Sequence, residues 1–198
     1  MPETTWDVIN DSLDLLKAAA DMISNANREA PTPCTEWTVT QVLQHAAGDQ
    51  LAWAAALGVG AGPTNNPFAP SGHLKTSVSD LLEPSLATAC TAWAAIGHDN
   101  QAVPTPLPQG ELPAPVAAAA CALDAAIHAW DIAAALGQPG FLSDDLAEQL
   151  LPARTVIEPL RQFGVYATAL SPQPADGHAA ELLRYLGRDP RWRPADQA

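Results

Sequence analysis

The sequence predicts an all-α fold, a bundle of four long helices with a short helical extension at its C-terminal end. Three observations carry that prediction. Apolar residues recur every three or four positions in each long segment, the period of a helix with one buried face. Helix-start residues and Gly/Pro stops punctuate those segments. No strand-like segments alternate with the helices, so no βαβ unit is implied, and residues 163–170 alone offer a faint strand signal. Long amphipathic helices joined by loops bury their apolar faces by packing side by side.

The first helix rests on Trp6, Ile9, Leu13, Leu16, Ala20 and Ile23, and the polar stretch 25–33 ends it. The second has the clearest start. Thr38 is the N-cap, Gln41 completes a capping box, and Trp37 and Val42 occupy the two positions of a hydrophobic staple. Val42, Leu43, Ala46, Ala47, Leu51, Ala54 and Leu57 form its apolar side, and the glycines of 58–62 stop it. A loop rich in Pro, Gly and Asn covers 59–76. The third helix occupies about 77–96, with Pro84 arguing for a true start near Glu83. After a proline-rich connection over 97–113, a fourth helix runs over about 114–136, with Pro115 in its first turn and Gly137 and Pro139 as its stop. Ser143 caps a fifth helix whose first turn carries Asp144 and Asp145, and Pro152 and Pro159 shorten or bend it. A loop over 164–177 leads to a last helix over 179–186, stopped by Gly187 and Pro190.

At 198 residues the chain is expected to form a single domain over 1–198 with a substantial core. Its net charge is −13 with only two lysines, Lys17 and Lys75, so the basic stripe of a nucleic-acid binder is missing. No membrane span is expected, because the apolar run 116–127 is mostly alanine and ends in charge. The first five residues are not basic, unlike a secretory leader, and a cytoplasmic location is expected. Cys34, Cys90 and Cys121 are an odd set without CxxC spacing, which argues against disulfides or a zinc ribbon. Cys90 and Cys121 read as buried fillers; Cys34 reads as more exposed, a candidate thiol whose commoner role is packing.

Chemistry concentrates in Asp124-Ala-Ala-Ile-His128-Ala-Trp-Asp131 on the fourth helix. Residues three and four apart share a helix face, so Asp124, His128 and Asp131 point the same way from an otherwise apolar helix. Burying them is costly unless they are paired or bind a metal. His45 lies inside the second helix; if the two helices adjoin, it completes a set of two imidazoles and one carboxylate. Such a set suits a divalent first-row metal with an open position, with zinc the first choice and nickel and iron also compatible. Asp131 then orients a ligand from behind, or bonds one helix to another. The alternative is a buried polar cluster that only holds the bundle together. His73, His98 and His178 read as surface histidines, and Trp53 and Trp130 as wall or core residues. A nucleophile elbow, a phosphate loop and a dinucleotide fingerprint are missing from the sequence.

Three blocks carry a family resemblance: residues 32–45 (TPCTEWTVTQVLQH), 124–139 (DAAIHAWDIAAALGQP) and 182–192 (LLRYLGRDPRW). Together they resemble the actinobacterial branch of the DinB-like metal-binding superfamily, related to the N-terminal domain of mycothiol-dependent maleylpyruvate isomerase. The resemblance implies a four-helix bundle with a metal on its inner face, held by His45, Asp124 and His128. The isomerase has Glu where this chain has Asp124, and it carries a separate C-terminal domain that helps hold its substrate. The implied activity is therefore an S-transfer in which mycothiol, or a similar small thiol, adds to an electrophilic small molecule. A mycothiol-dependent isomerase, a ferrous-iron facial-triad enzyme and a non-catalytic metal- or ligand-binding bundle are the alternatives. The expected partners are the small thiol and the electrophile, without nucleic acid or membrane, and pairing into a homodimer stays open.

Overall fold

The computed structural model describes residues 5–138 and 140–194; the N-terminal residues read against a leader and Pro139 lie largely or wholly outside that range. Four long helices make the bundle: α1 (Asp7–Ala20), α2 (Val39–Ala56), α3 (Val78–Trp93) and α4 (Ala114–Ala135). The C-terminal part adds α5 (Asp144–Leu150), a 3-10 turn (Leu151–Ala153), α6 (Arg154–Arg161) and α7 (His178–Tyr185). Among the described residues there is no strand. Two isolated bridges, Pro31 with Thr38 and Val103 with Leu112, tighten loops. The 163–170 segment is irregular.

Helix α4 is central. It packs against α1 on one side and α2 on another, while α3 closes the bundle against α2 and α1. Its alanines explain this placement: small side chains let neighbouring helices approach on several faces. Only Pro115, Val116, Ala120 and Asp124 escape full burial. By length and composition α4 is apolar enough to cross a membrane, contrary to the sequence expectation, which undercounted its second half. Its candidate span is nevertheless 89% buried inside the protein, as a core helix requires. Trp53, Trp93 and Trp130 are all at most 1% exposed, so Trp53 and Trp130 belong to the core. Trp93 also donates its indole N–H to Cys121 Sγ (3.3 Å).

Local signals act as read, with two exceptions. Thr38 and Gln41 form the reciprocal capping box of α2, and Ser143 Oγ accepts from the Leu146 amide at the start of α5. The stop of α4 is Gly137, at φ +86°, where a side chain would be strained. The first exception is α3, which starts at Val78 rather than near Glu83. Ser77 and Asp80 make a capping box there, and Pro84, in the second turn, lies inside the helix and leaves it without the bond its own N–H would have made. The second is Cys90, which is exposed rather than a core filler. It sits one residue past the stripe Leu82, Leu86, Ala89 and Trp93, a rotation of about 100° that carries it to solvent.

The C-terminal extension is tied back to the bundle. α7 packs on α5, and the Leu170 amide donates to the Arg184 carbonyl (2.8 Å). Gly187, at φ +82°, turns the chain where a Cβ would lie 2.7 Å from Ala167 Cβ. That turn delivers Arg188 to the buried face of α4, where its Nε and Nη2 donate to Asp131 Oδ1 (2.9 Å) and Oδ2 (2.8 Å).

Candidate metal centre

The site forms where α2 crosses α4. The start of α2 is fixed by its capping box, by the Pro31–Thr38 bridge, and by Thr40 Oγ1 donating to the Arg28 carbonyl (2.9 Å). With that register set, His45 projects from α2 toward Asp124 and His128 on α4. Asp124 Oδ1 lies 3.3 Å from His45 Nε2 and 3.5 Å from His128 Nε2. One ligand atom from each of the three residues falls within 4.8 Å of the others. Both imidazoles are nearly sealed, at 5% and 7% exposure.

The far side of each ring decides what the near side presents. His45 Nδ1 faces the Pro67 carbonyl at 3.0 Å, a contact only an N–H can make. His128 Nδ1 faces Asp131 Oδ2 at 3.0 Å, and that carboxylate is already held by Arg188. In the neutral form each ring therefore turns its Nε2 lone pair toward Asp124 Oδ1. Three acceptors facing one another repel unless a proton or a cation lies among them. Asp124 Oδ2 is buried with no hydrogen-bond partner, a cost that a bound cation would remove. A carbonyl or carboxylate behind a ligating imidazole is also the usual means of fixing its tautomer and raising its basicity. The donor set thus fits a divalent first-row ion with positions left open.

Without an ion the cluster is held by protons. Burial opposes charge on His128, but Asp124 and then Asp131 overcome it and raise the imidazole to about 9. Burial opposes charge on Asp124 as well, yet His128 and His45 hold its carboxyl well below the usual range. Asp131 is also lowered against its burial, chiefly by Arg188 and then by His128.

All four residues singled out in the sequence meet here; Asp131 lies behind His128, and its other partner is Arg188 from the loop after α7 rather than a second helix. His73, His98 and His178 are exposed; His98 stacks on Trp6, with ring centroids 4.1 Å apart. Several neighbours of the cluster were not anticipated. Asp49 lies one turn beyond His45 on α2, with its carboxyl raised well above the ordinary value by burial and then by Asp124, against a hydrogen bond from Trp53. The spacing of four that exposed Asp124 and His128 also links His45 with Asp49 and was a readable signal. Tyr166 and Arg188 come from the C-terminal loops, and Phe68 from the loop before α3; Arg188 falls within the 182–192 block that carries the family resemblance, while no sequence signal marked Tyr166 or Phe68. Burial, then Asp124, raises the Tyr166 phenol, so it stays protonated. Cys34 is half-buried beside the site, and burial, then Asp131, pushes its thiol up to about 11.

Comparison with known proteins adds a family. The family model of the mycothiol maleylpyruvate isomerase N-terminal domain matches residues 9–133, which span α2, α3 and the metal-type cluster. Two uncharacterized proteins of Mycobacterium tuberculosis, one each from strains CDC 1551 / Oshkosh and ATCC 25618 / H37Rv, are both 33% identical over 189 residues. Each alignment covers 88% of this chain and 93% of the relative. No solved structure matches the chain.

Proposed function

Because the chain belongs to the mycothiol maleylpyruvate isomerase N-terminal domain family, we propose that it is a metal-dependent S-transferase that joins mycothiol, or a similar small thiol, to an electrophilic small molecule. The observation that carries this reading is the convergence of two tautomer-fixed imidazole nitrogens on a carboxylate whose second oxygen has no partner. His45, Asp124 and His128 would hold a divalent ion, for which zinc is our first choice. Such an ion supplies a Lewis-acidic centre that favours the thiolate form of a thiol at neutral pH.

The protein's own groups define the rest. Pro67 and Asp131 keep both ligand rings oriented. Burial raises the Cys34 and Cys121 thiols and Cys90 faces solvent on α3, which favours a nucleophile supplied from outside. The reaction breaks the S–H bond of that thiol, with its proton passing to solvent, and forms an S–C bond to the electrophile. In an addition, the electron pair displaced from the electrophile takes a proton from water. In a substitution, it departs with the leaving group.

The test uses purified protein loaded with zinc. Stoichiometric metal and faster loss of mycothiol with an electrophile panel are expected, both abolished by His128→Ala. Full metal content in His128→Ala would refute the ligand assignment. Stoichiometric metal with no thiol consumed across the panel would refute the transferase and leave a metal-binding bundle. Double-bond isomerisation without net thiol loss would move the reading to an isomerase.

A further inference from the structure

An aromatic side chain stands exposed at the mouth of the cluster on a loop that is not free to move. Phe68 is 60% exposed, yet it follows Pro67, whose carbonyl receives the His45 N–H. The same loop is bonded to α2 at two further points after that contact: Gln41 Nε2 donates to the Pro70 carbonyl (3.2 Å), and the Gly72 amide donates to Gln44 Oε1 (2.9 Å). Gly48 lets the loop lie close, since a Cβ there would come 3.1 Å from Pro67 Cγ. The Phe68 ring meets His45 edge-on, with centroids 5.4 Å apart, and Trp37 lies 4.7 Å from the same imidazole. His45 is thus flanked by two aromatic rings, one of them open to solvent and rigidly presented.

The charges beside this aromatic edge are closed off. Among the described residues, Arg188 and Arg161 are the arginines whose charge reaches the site's groups. Arg188 spends Nε and Nη2 on Asp131 and Nη1 on the Leu186 carbonyl. Arg161 is taken by Glu158 and by the carbonyls of Ala167 and Tyr185. Neither has a free fork with which to clamp a carboxylate. Asp124 adds negative potential, and the thiolate nucleophile of the proposed reaction takes up the charge that a divalent ion would bring.

We propose that this site selects an uncharged, flat, apolar electrophile, and that Phe68, with Trp37, is the residue that determines that specificity. This rests on the thiol-transfer reading of the same cluster, but its test has an independent readout. Quenching of tryptophan fluorescence measures binding of chlorodinitrobenzene and its carboxylate counterpart, chlorodinitrobenzoate, to the metal-free protein, where no open metal position can capture the carboxylate. The neutral probe should bind about tenfold or more tightly than the anion, since a desolvated carboxylate finds no cation. Phe68→Ala should weaken neutral-probe binding about three- to tenfold, the worth of one aromatic contact. Phe163→Ala, at the comparably exposed Phe163, should not. Trp37→Phe should remove most of the quenching. The proposal is overturned if the anion binds as well as the neutral probe, if Phe68→Ala behaves like Phe163→Ala, or if quenching survives in Trp37→Phe. Failure to bind zinc or consume thiol would instead refute the transferase reading, while the binding preference is scored separately.

Discussion

Replacing Arg188 by Met tests how the C-terminal extension supports the site. In the parent, Asp131 is fully buried and shares its two oxygens between the Arg188 guanidinium (2.8 and 2.9 Å) and His128 (3.0 Å). Removing the guanidinium while keeping an apolar stem leaves a buried carboxylate without its main counter-charge, a loss that costs about 3–5 kcal/mol. For a chain of this size each kcal/mol moves Tm by about 2–4 °C, so a fall of roughly 6–20 °C is expected. The loss should depend on pH. In the parent, Asp131 is held low, so its contribution is fully present above the unfolded carboxyl pKa of about 3.9 and is lost only in stronger acid. In the variant, burial without Arg188 raises the carboxyl, so stability falls as pH rises above about 4, and the gap from the parent widens toward neutrality. Urea denaturation with chelator present keeps metal affinity out of the readout. The double variant Asp131→Asn, Arg188→Met should recover most of the loss, because the amide oxygen still accepts from His128 without a charge. A single variant within about 1 kcal/mol of the parent, or a coupling energy below about 0.5 kcal/mol in the cycle, would refute a pair of this strength.

Metal binding should release about one proton at pH 7, because His128, raised to about 9, carries a proton that the ion must displace. The apparent association constant should rise about tenfold per pH unit from roughly 6.5 and level off above about 9, and the metal-free protein should lose stability across that window; calorimetry in buffers of different ionisation enthalpy that shows no proton release would contradict it. Thr38→Ala removes the side-chain half of the α2 capping box and should cost about 1 kcal/mol in chemical denaturation, with Thr38→Ser near neutral; equal losses in the two would show that the hydroxyl is not responsible. Gly187→Ala meets both a left-handed φ of +82° and a backbone oxygen 2.9 Å from the new Cβ. It should cost about 1–2 kcal/mol or more, and an unchanged denaturation midpoint would count against the tight turn that delivers Arg188.

Much of the site was legible because it is local. The four-residue spacing of Asp124 and His128 guarantees a shared face whatever surrounds the helix. The capping box at Thr38 fixed where α2 begins, and hence the turn on which His45 falls. Spacing of the same kind linked His45 to Asp49, yet among apolar neighbours that carboxyl was passed over. Pro84 misled because proline is disruptive on average, whereas the α3 capping box tolerates one missing bond. Cys90 misled because it adjoins an apolar stripe and differs from it by a single step of rotation.

The sequence by itself determined that the chain is helical, where most of its helices begin and stop, with α3 the exception, and that a carboxylate and an imidazole face one way from the fourth. Those properties follow from bond geometry within a few residues. Only the tertiary structure decided that the Pro67 carbonyl and Asp131 back the two rings, that Arg188 reaches Asp131 from 57 residues away, and that Phe68 stands beside His45. Each of these is a meeting of distant segments, set by how alanine-faced helices pack and how the loops are pinned against them. That packing turns two same-facing side chains on one helix into a cluster with fixed tautomers, a buried counter-charge and an aromatic mouth.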